Sequence, residues 1–294
     1  MSTTINLDSI NDENDPDATQ GGADIFQILK QGLSSEADSA AGAAQLAESL
    51  RVYIHDKGAG SRKVANNLLW DLWPLLVQVV TFVPIDHPWQ DCLITTVDKL
   101  RREGGRIIAS DDSEQWADLP GLSMYLVDRW ADPSKIDDST SEDVEAWKRL
   151  NSFASRLLAD DFRHWIPLAW WEITAGLETA SQDPTEFEWR LWVVTEWLIQ
   201  CGDLLFKDLS SPEELDAEVL ASVRPGPLCA DVHPMSLQRW EFWLSRLMEL
   251  SSGRYTVEGG SKEVELSASS ISRIEQAIGA MRRHASSSTA QDQS

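Results

Sequence analysis

Histidine, glutamine, asparagine and arginine set among tryptophans are the residues of this 294-residue chain with the best means to handle a ligand. His87-Pro88-Trp89-Gln90 puts an imidazole and an amide within one helical turn. An imidazole exchanges a proton near neutral pH, and an amide both donates and accepts. The same pattern also suits a helix start. Pro88 would sit at the first helical position, where its missing N–H costs nothing, with His87 as the cap; that structural role is the preferred reading. Asn151 follows Trp147 by four residues, on the inward stripe of its helix, with Arg156 one turn further on. A buried asparagine must be paired, so Asn151 is expected to satisfy a helix end or an indole N–H, with ligand binding as the alternative. Arg239 beside Trp240, with Arg246 two turns on, has the charge to hold a carboxylate. A structural ion pair with this acidic chain is the preferred reading there too.

No constellation of covalent or metal chemistry accompanies them. Nucleophile elbows, zinc-protease helices and dinucleotide-binding glycines are absent. Lys57-Gly58-Ala59-Gly60-Ser61-Arg62-Lys63 lacks the spacing of a phosphate loop and has no strand before it, so it reads as a helix–helix turn. Cys229 and His233 are four apart without a second pair, and His87 and Cys92 are as isolated, so no metal site and no cofactor are expected. Asp137-Asp138-Ser139-Thr140-Ser141-Glu142 is the nearest approach to a magnesium-binding run. It falls before a helix, where carboxylates stabilise the positive end of the dipole.

The helices that must position these residues are written in the tryptophans. The chain has 14 of them, from Trp70 to Trp243, mostly at helical spacing within apolar stretches. Each can bury roughly 150–250 Å² and needs a partner for its ring N–H. Helical periodicity runs through nearly every segment, and no sustained alternation marks a sheet. The reading is an all-α fold of about ten helices in a single domain over residues 24–285, packed around an apolar helix from Phe187 to Leu205. Pro74 should kink or split the helix that begins near Arg62. Ser35 with Asp38, Asp183 with Glu186, Ser211 with Glu214, and Ser236 mark further helix starts. Residues 119–130 read as one helix. Residues 253–266 are the one place for a small hairpin. Residues 1–23 and 286–294 lack the apolar content to offset ordering entropy and are expected to be disordered.

Charge excludes several partners. Forty-eight acids against 25 bases give a net charge of −23. Residues 1–23 hold five acids and no base; without them 43 acids and 25 bases leave −18. Nucleic-acid affinity depends on neutralising phosphates, so nucleic acid and anionic membrane surfaces are not expected partners. MSTTINLDSI shows no signal peptide, no apolar run reaches the ~20 residues a bilayer requires, and three scattered cysteines build no disulfide framework. The expected compartment is the cytoplasm.

Five blocks together carry a resemblance. They are His87-Pro88-x-Gln90, Trp116-x-Asp118-Leu119-Pro120, Trp147-x-x-x-Asn151-x-Phe153-Ala154-x-Arg156-Leu157, Trp197-x-x-x-x-Gly202, and Ser236-x-x-Arg239-Trp240-x-Phe242-Trp243. In this order, over roughly residues 25–250, the chain resembles an uncharacterised filamentous-fungal all-helical family, domain of unknown function 3632. The resemblance implies a fungal, cytosolic, helical protein and supplies no activity and no catalytic residue. The expected function is a non-enzymatic protein-interaction or accessory scaffold role, with a protein as partner. The alternative is a small-molecule-binding protein or enzyme with an aromatic-lined pocket between helices, using His87, Gln90, Asn151, Arg156 or Arg239.

Overall fold

The computed structural model describes residues 5–10, 19–36, 40–107, 114–160, 162, 165–210, 217–256 and 263–291. The chain is all-α: 76% of it is helical, and a two-stranded hairpin is the one sheet among the described residues. Met1–Phe153 and Ala154–Ser294 form two compact units.

In the first unit a short 3-10 turn at Leu7–Ile10 precedes α1 (Gln20–Glu36), α2 (Ala40–Gly58), α3 (Arg62–Phe82), α4 (Pro88–Glu103), α5 (Leu122–Asp128) and the first part of α6 (Ser141–Ala159). The turn lies within the segment expected to be disordered. Leu7 is buried, Lys30 binds Asp8 at 2.5 Å, and Gln78 Nε2 donates to the Ile10 carbonyl at 2.9 Å. A single apolar side chain that finds the α1–α3 surface is enough to fold a turn around it. Residues 1–4 and 11–18 of that segment, Asp38, and the expected cap at Ser211-Pro212-Glu213-Glu214 lie outside the described residues.

The small residues of α1 and α2 allow a close approach. A Cβ on Gly32 would meet Leu46 Cδ1 at 2.7 Å, and one on Gly58 would meet Ala65 Cβ at 2.8 Å. α3 runs through Pro74 as one helix, so the proline does not split it. The carbonyl that loses its bond to the missing N–H is that of Trp70, whose side chain is exposed, so water reaches this face. Trp73, one residue earlier in sequence than the proline, is fully buried; its Nε1 donates to the Pro120 carbonyl at 2.7 Å, and its ring meets Trp116 edge-on at 6.3 Å. Trp116 in turn lies where Gly104 would carry a Cβ, 2.6 Å from the ring. The helix expected over 119–130 begins only at Leu122. A 3-10 turn at Trp116–Asp118 ends on Leu119 in the left-handed region, at φ 41°. This conformation costs a non-glycine residue about 1–3 kcal/mol; the burial of Leu119 and the pinning of Trp116 hold it there.

The second unit holds the end of α6, α7 (Ile166–Leu177), α8 (Pro184–Ser210), α9 (Ala217–Ser222), α10 (Leu237–Leu250), strands β1 (Arg254–Thr256) and β2 (Glu263–Glu265), and α11 (Ala268–Gln291). α11 thus extends beyond residue 285 into the segment expected to be disordered. The hairpin pairs antiparallel with Tyr255 opposite Val264, and Tyr255 packs on Phe187. α8 is the buried helix that the apolar pattern predicts, with Phe187, Leu191, Val194, Trp197, Leu198 and Leu205 all inside. It starts as its sequence suggests, with Asp183 accepting from the Thr185 N–H at 2.8 Å, but Glu186 binds Arg190 at 2.6 Å rather than reaching back to the cap. Glu188 caps α11 by accepting from the Ser267 N–H at 2.6 Å, and Arg273 of α11 lies over Trp192 while binding Glu196 at 2.6 Å. Ser236 makes no side-chain cap; its hydroxyl donates to the His233 carbonyl instead.

Among the described residues no helix is long and apolar enough to cross a membrane.

Removing residues 1–10 should lower the stability of the first unit by about 1.5–3 kcal/mol, the worth of one buried leucine. Thermal unfolding of the trimmed chain checks this; an unchanged midpoint would show that Leu7 contributes nothing.

Candidate functional site

The sequence-predicted residues are each bound into the structure near their own helices. His87 caps α4, its Nδ1 accepting from the Trp89 N–H at 3.3 Å, and its ring stands edge-on to Trp89 at 5.0 Å. Gln90, also on α4, is buried. Its Nε2 donates to the carbonyls of Val80 at 2.8 Å and Val83 at 2.7 Å, the last turn of α3. Both N–H bonds of the amide are therefore spent on backbone groups that a helix end leaves unpaired. Asn151 is fully buried and donates to the Trp147 carbonyl at 3.0 Å, within α6. Arg156 is half-buried near the end of α6. His87 and Gln90 thus share one helix start, and Asn151 and Arg156 share one helix.

Arg239, on α10, is the centre of a closed network in the second unit. Nothing of it is exposed. Nε donates to Glu178 Oε1 at 2.6 Å. One terminal nitrogen donates to the carbonyls of Val223 at 2.6 Å and Pro234 at 3.0 Å. The other donates to Thr174 Oγ1 at 3.0 Å and to Glu178 Oε2 at 3.0 Å. These are all five donors a guanidinium has.

Glu178 is filled as completely. Its side chain has no exposure, Oε1 accepts a second bond from Trp243 Nε1 at 2.6 Å, and Oε2 accepts one from the Gly226 N–H at 2.7 Å. The Glu178 carbonyl takes the Leu228 N–H at 2.9 Å. A Cβ on Gly226 would lie 2.6 Å from that carbonyl oxygen, so only glycine admits this approach. The guanidinium lies 4.9 Å from the centre of the Trp170 ring and 5.6 Å from that of Trp243. One pair thereby joins α7, the residues before α10, and α10 itself.

Cys201 and Cys229 are both buried. Burial first, and the charge of Glu178 second, push the Cys229 thiol up to about 11, so it stays protonated at neutral pH. Burial also raises Cys201, whose thiol donates to the Trp197 carbonyl at 3.1 Å, where α8 kinks (φ −130°). Gly202 follows the kink, and a Cβ there would touch the His284 ring at 3.4 Å and Trp240 at 3.6 Å. Among the described residues no group of three His, Cys, Asp or Glu side chains could hold a metal ion. Of the run before α6, Thr140 is the cap: its Oγ1 accepts from the Asp143 N–H at 3.3 Å, while Asp143 Oδ2, inside α6, accepts from the Thr140 N–H at 2.8 Å and hydroxyl at 2.7 Å, bonds that hold the Asp143 carboxyl below the usual range.

Three features escaped the sequence reading. Glu178 looks like an ordinary polar residue after a helix. Two buried indole nitrogens, of Trp147 and Trp240, have no hydrogen-bond partner among the described residues. A groove of about 530 Å³ lies along α1 and α2, lined by Ile28, Gln45, Ser49, Val52, Tyr53 and Asp56 among others; the stripe 45, 49, 52, 53, 56 is its one sequence signal.

The model of a family described as protein of unknown function (DUF3632) matches residues 73–247. No curated protein and no solved structure matches the chain.

Arg239→Met leaves Glu178 buried and unpaired, which should cost about 3–5 kcal/mol, while Arg239→Met with Glu178→Leu should recover part of that loss. Thermal unfolding of the single and double variants measures it; equal midpoints for wild type and Arg239→Met would refute the structural assignment. A second expectation concerns pH. Burial lowers His284 below its ordinary 6.5, with Asp203 opposing and Arg283 assisting. The unfolded chain then binds the proton more tightly, so His284 should subtract stability as pH falls through 6.5 and nothing well above it. The difference in melting temperature between His284→Gln and wild type should therefore grow between pH 7 and pH 5; a constant difference would remove histidine from the account.

Proposed function

We propose that this chain, which belongs to the family of proteins of unknown function DUF3632, acts as a non-enzymatic interaction or accessory scaffold protein in the cytoplasm of a filamentous fungus. The observation that carries this reading is the saturated Arg239–Glu178 pair: every donor and acceptor is used within the protein. Gln90 and Asn151 likewise bind backbone carbonyls. These polar groups are occupied within the protein, Arg239 and Gln90 in joining helices and Asn151 inside α6. Large apolar side chains stand on the surface instead, among them Trp70 at 43% exposure and Trp171 at 42%. Exposed aromatic residues are the usual anchors of protein interfaces. The three cysteines are free and buried, as suits a reducing compartment, and the ordered sequence blocks support the fungal assignment.

The second reading is a small-molecule site. It is favoured by the unpartnered indole N–H groups of Trp147 and Trp240, since an acceptor on a ligand would complete either one. Tagged full-length chain purified from a fungal host under native conditions separates the two readings. A stoichiometric protein partner, held through size-exclusion chromatography, is the expected result. A bound organic molecule in native mass spectrometry, with no protein partner, would replace the first reading by the second.

A further inference from the structure

Sulfur meets water in this protein at methionine. The three thiols are free and buried, and burial keeps a thiol from an oxidant in the surrounding solvent. Met235 and Met281 are buried as well. Met124 and Met248 stand exposed, at 55% and 47%. Among the described residues, these are the two sulfur atoms that a dissolved peroxide reaches first.

The two differ in what touches them. Met248 is on the outer face of α10, one residue after the buried Leu247, and Arg282 is on α11, one residue after the buried Met281. These helices pack directly against each other. A terminal guanidinium nitrogen of Arg282 donates to Met248 Sδ at 3.4 Å. The thioether of Met124, on α5, has no such donor among the described residues.

The Arg282–Met248 pair is mismatched as it stands. A guanidinium is a permanent cation with strong, fixed donors, whereas a thioether is a weak acceptor. Two-electron oxidation removes the mismatch. A sulfur lone pair attacks one oxygen of hydrogen peroxide and the O–O bond breaks. That oxygen stays on sulfur, and the other leaves with both peroxide hydrogens as water. Sulfur gives up two electrons and the peroxide takes them. The product is methionine sulfoxide, polar where the thioether was apolar. Its oxygen carries partial negative charge, and the three rotatable bonds of the side chain let it turn toward the cation.

We propose that Met248 is a reversible oxidation site whose sulfoxide is captured by Arg282, so that peroxide tightens the joint between α10 and α11. Oxidation of a core methionine loosens packing, because a polar group then occupies an apolar site. Met248 already stands in water beside a cation, so the sign reverses. Methionine sulfoxide reductases return the sulfur to its thioether form, which resets the site. The proposal is independent of the protein-interaction reading.

The test uses full-length chain carrying Met124→Leu, so that Met248 is the exposed thioether of the described residues that remains. After treatment with dilute hydrogen peroxide, peptide mass mapping should find one added oxygen on Met248 while Met235 and Met281 are unmodified. The melting temperature should rise by roughly 1–3 °C, as one added surface bond to a charged group warrants. Treatment with a methionine sulfoxide reductase should reverse the rise. With Arg282→Gln added, Met248 should still be oxidised and the rise should vanish. With Met248→Leu instead, peroxide should leave the midpoint unchanged. Both replaced side chains are exposed, and the midpoints of the untreated variants confirm that each is folded. Met248 left unmodified when Met124 of the wild type is oxidised would overturn the proposal. So would a midpoint that falls on oxidation, or one that rises equally in the Arg282→Gln variant.

Discussion

A guanidinium and a carboxylate held away from all water are the most demanding groups that the second unit contains. Removing such charges from solvent is expensive, and attraction alone does not recover the loss unless each remaining donor and acceptor also finds a partner. The surroundings of Arg239 and Glu178 follow from that requirement. The loop from Val223 to Pro234 is bent so that two of its carbonyls accept from the guanidinium. Gly226 lacks a side chain because its backbone must press against Glu178. Thr174 and Trp243 face the pair because one hydroxyl and one indole N–H complete its set of bonds. Two of the many tryptophans, Trp170 and Trp243, form the dry aromatic wall that makes each of these bonds matter.

The five sequence blocks acquire a common meaning in this light. Each is a joint. His87 and Gln90 close the start of one helix and the end of another. Trp116 fills the space left by Gly104 and packs on Trp73. Asn151 returns its amide to the Trp147 carbonyl. Gly202 gives room to His284 just after the α8 kink. Arg239 and Trp243 converge on Glu178.

Helix type was legible because burial imposes a period that the apolar residues display; α8 and α10 could be placed from their stripes alone. What was not legible depended on distant partners. Arg239 advertised a need for a carboxylate, yet 48 acids compete for it in the sequence. Glu178 is chosen by a contact across 61 positions that no local pattern encodes. Pro74 fails to split its helix for a related reason. The cost of the missing hydrogen bond depends on whether the orphaned carbonyl meets water, and that is a property of the folded surface. Leu119 misled in the other direction, since nothing in Leu-Pro-Gly-Leu reveals that tertiary packing forces a leucine into a left-handed turn.

Interior charge is balanced pair by pair, as Arg239 with Glu178 and Arg273 with Glu196 illustrate. Among the described residues, acids outside those two pairs, such as Glu48, Asp56 and Glu103, stand exposed. An acidic surface disfavours polyanions and would favour a partner that carries bases. Affinity for such a partner still requires apolar contact, because exposed ion pairs contribute little on their own.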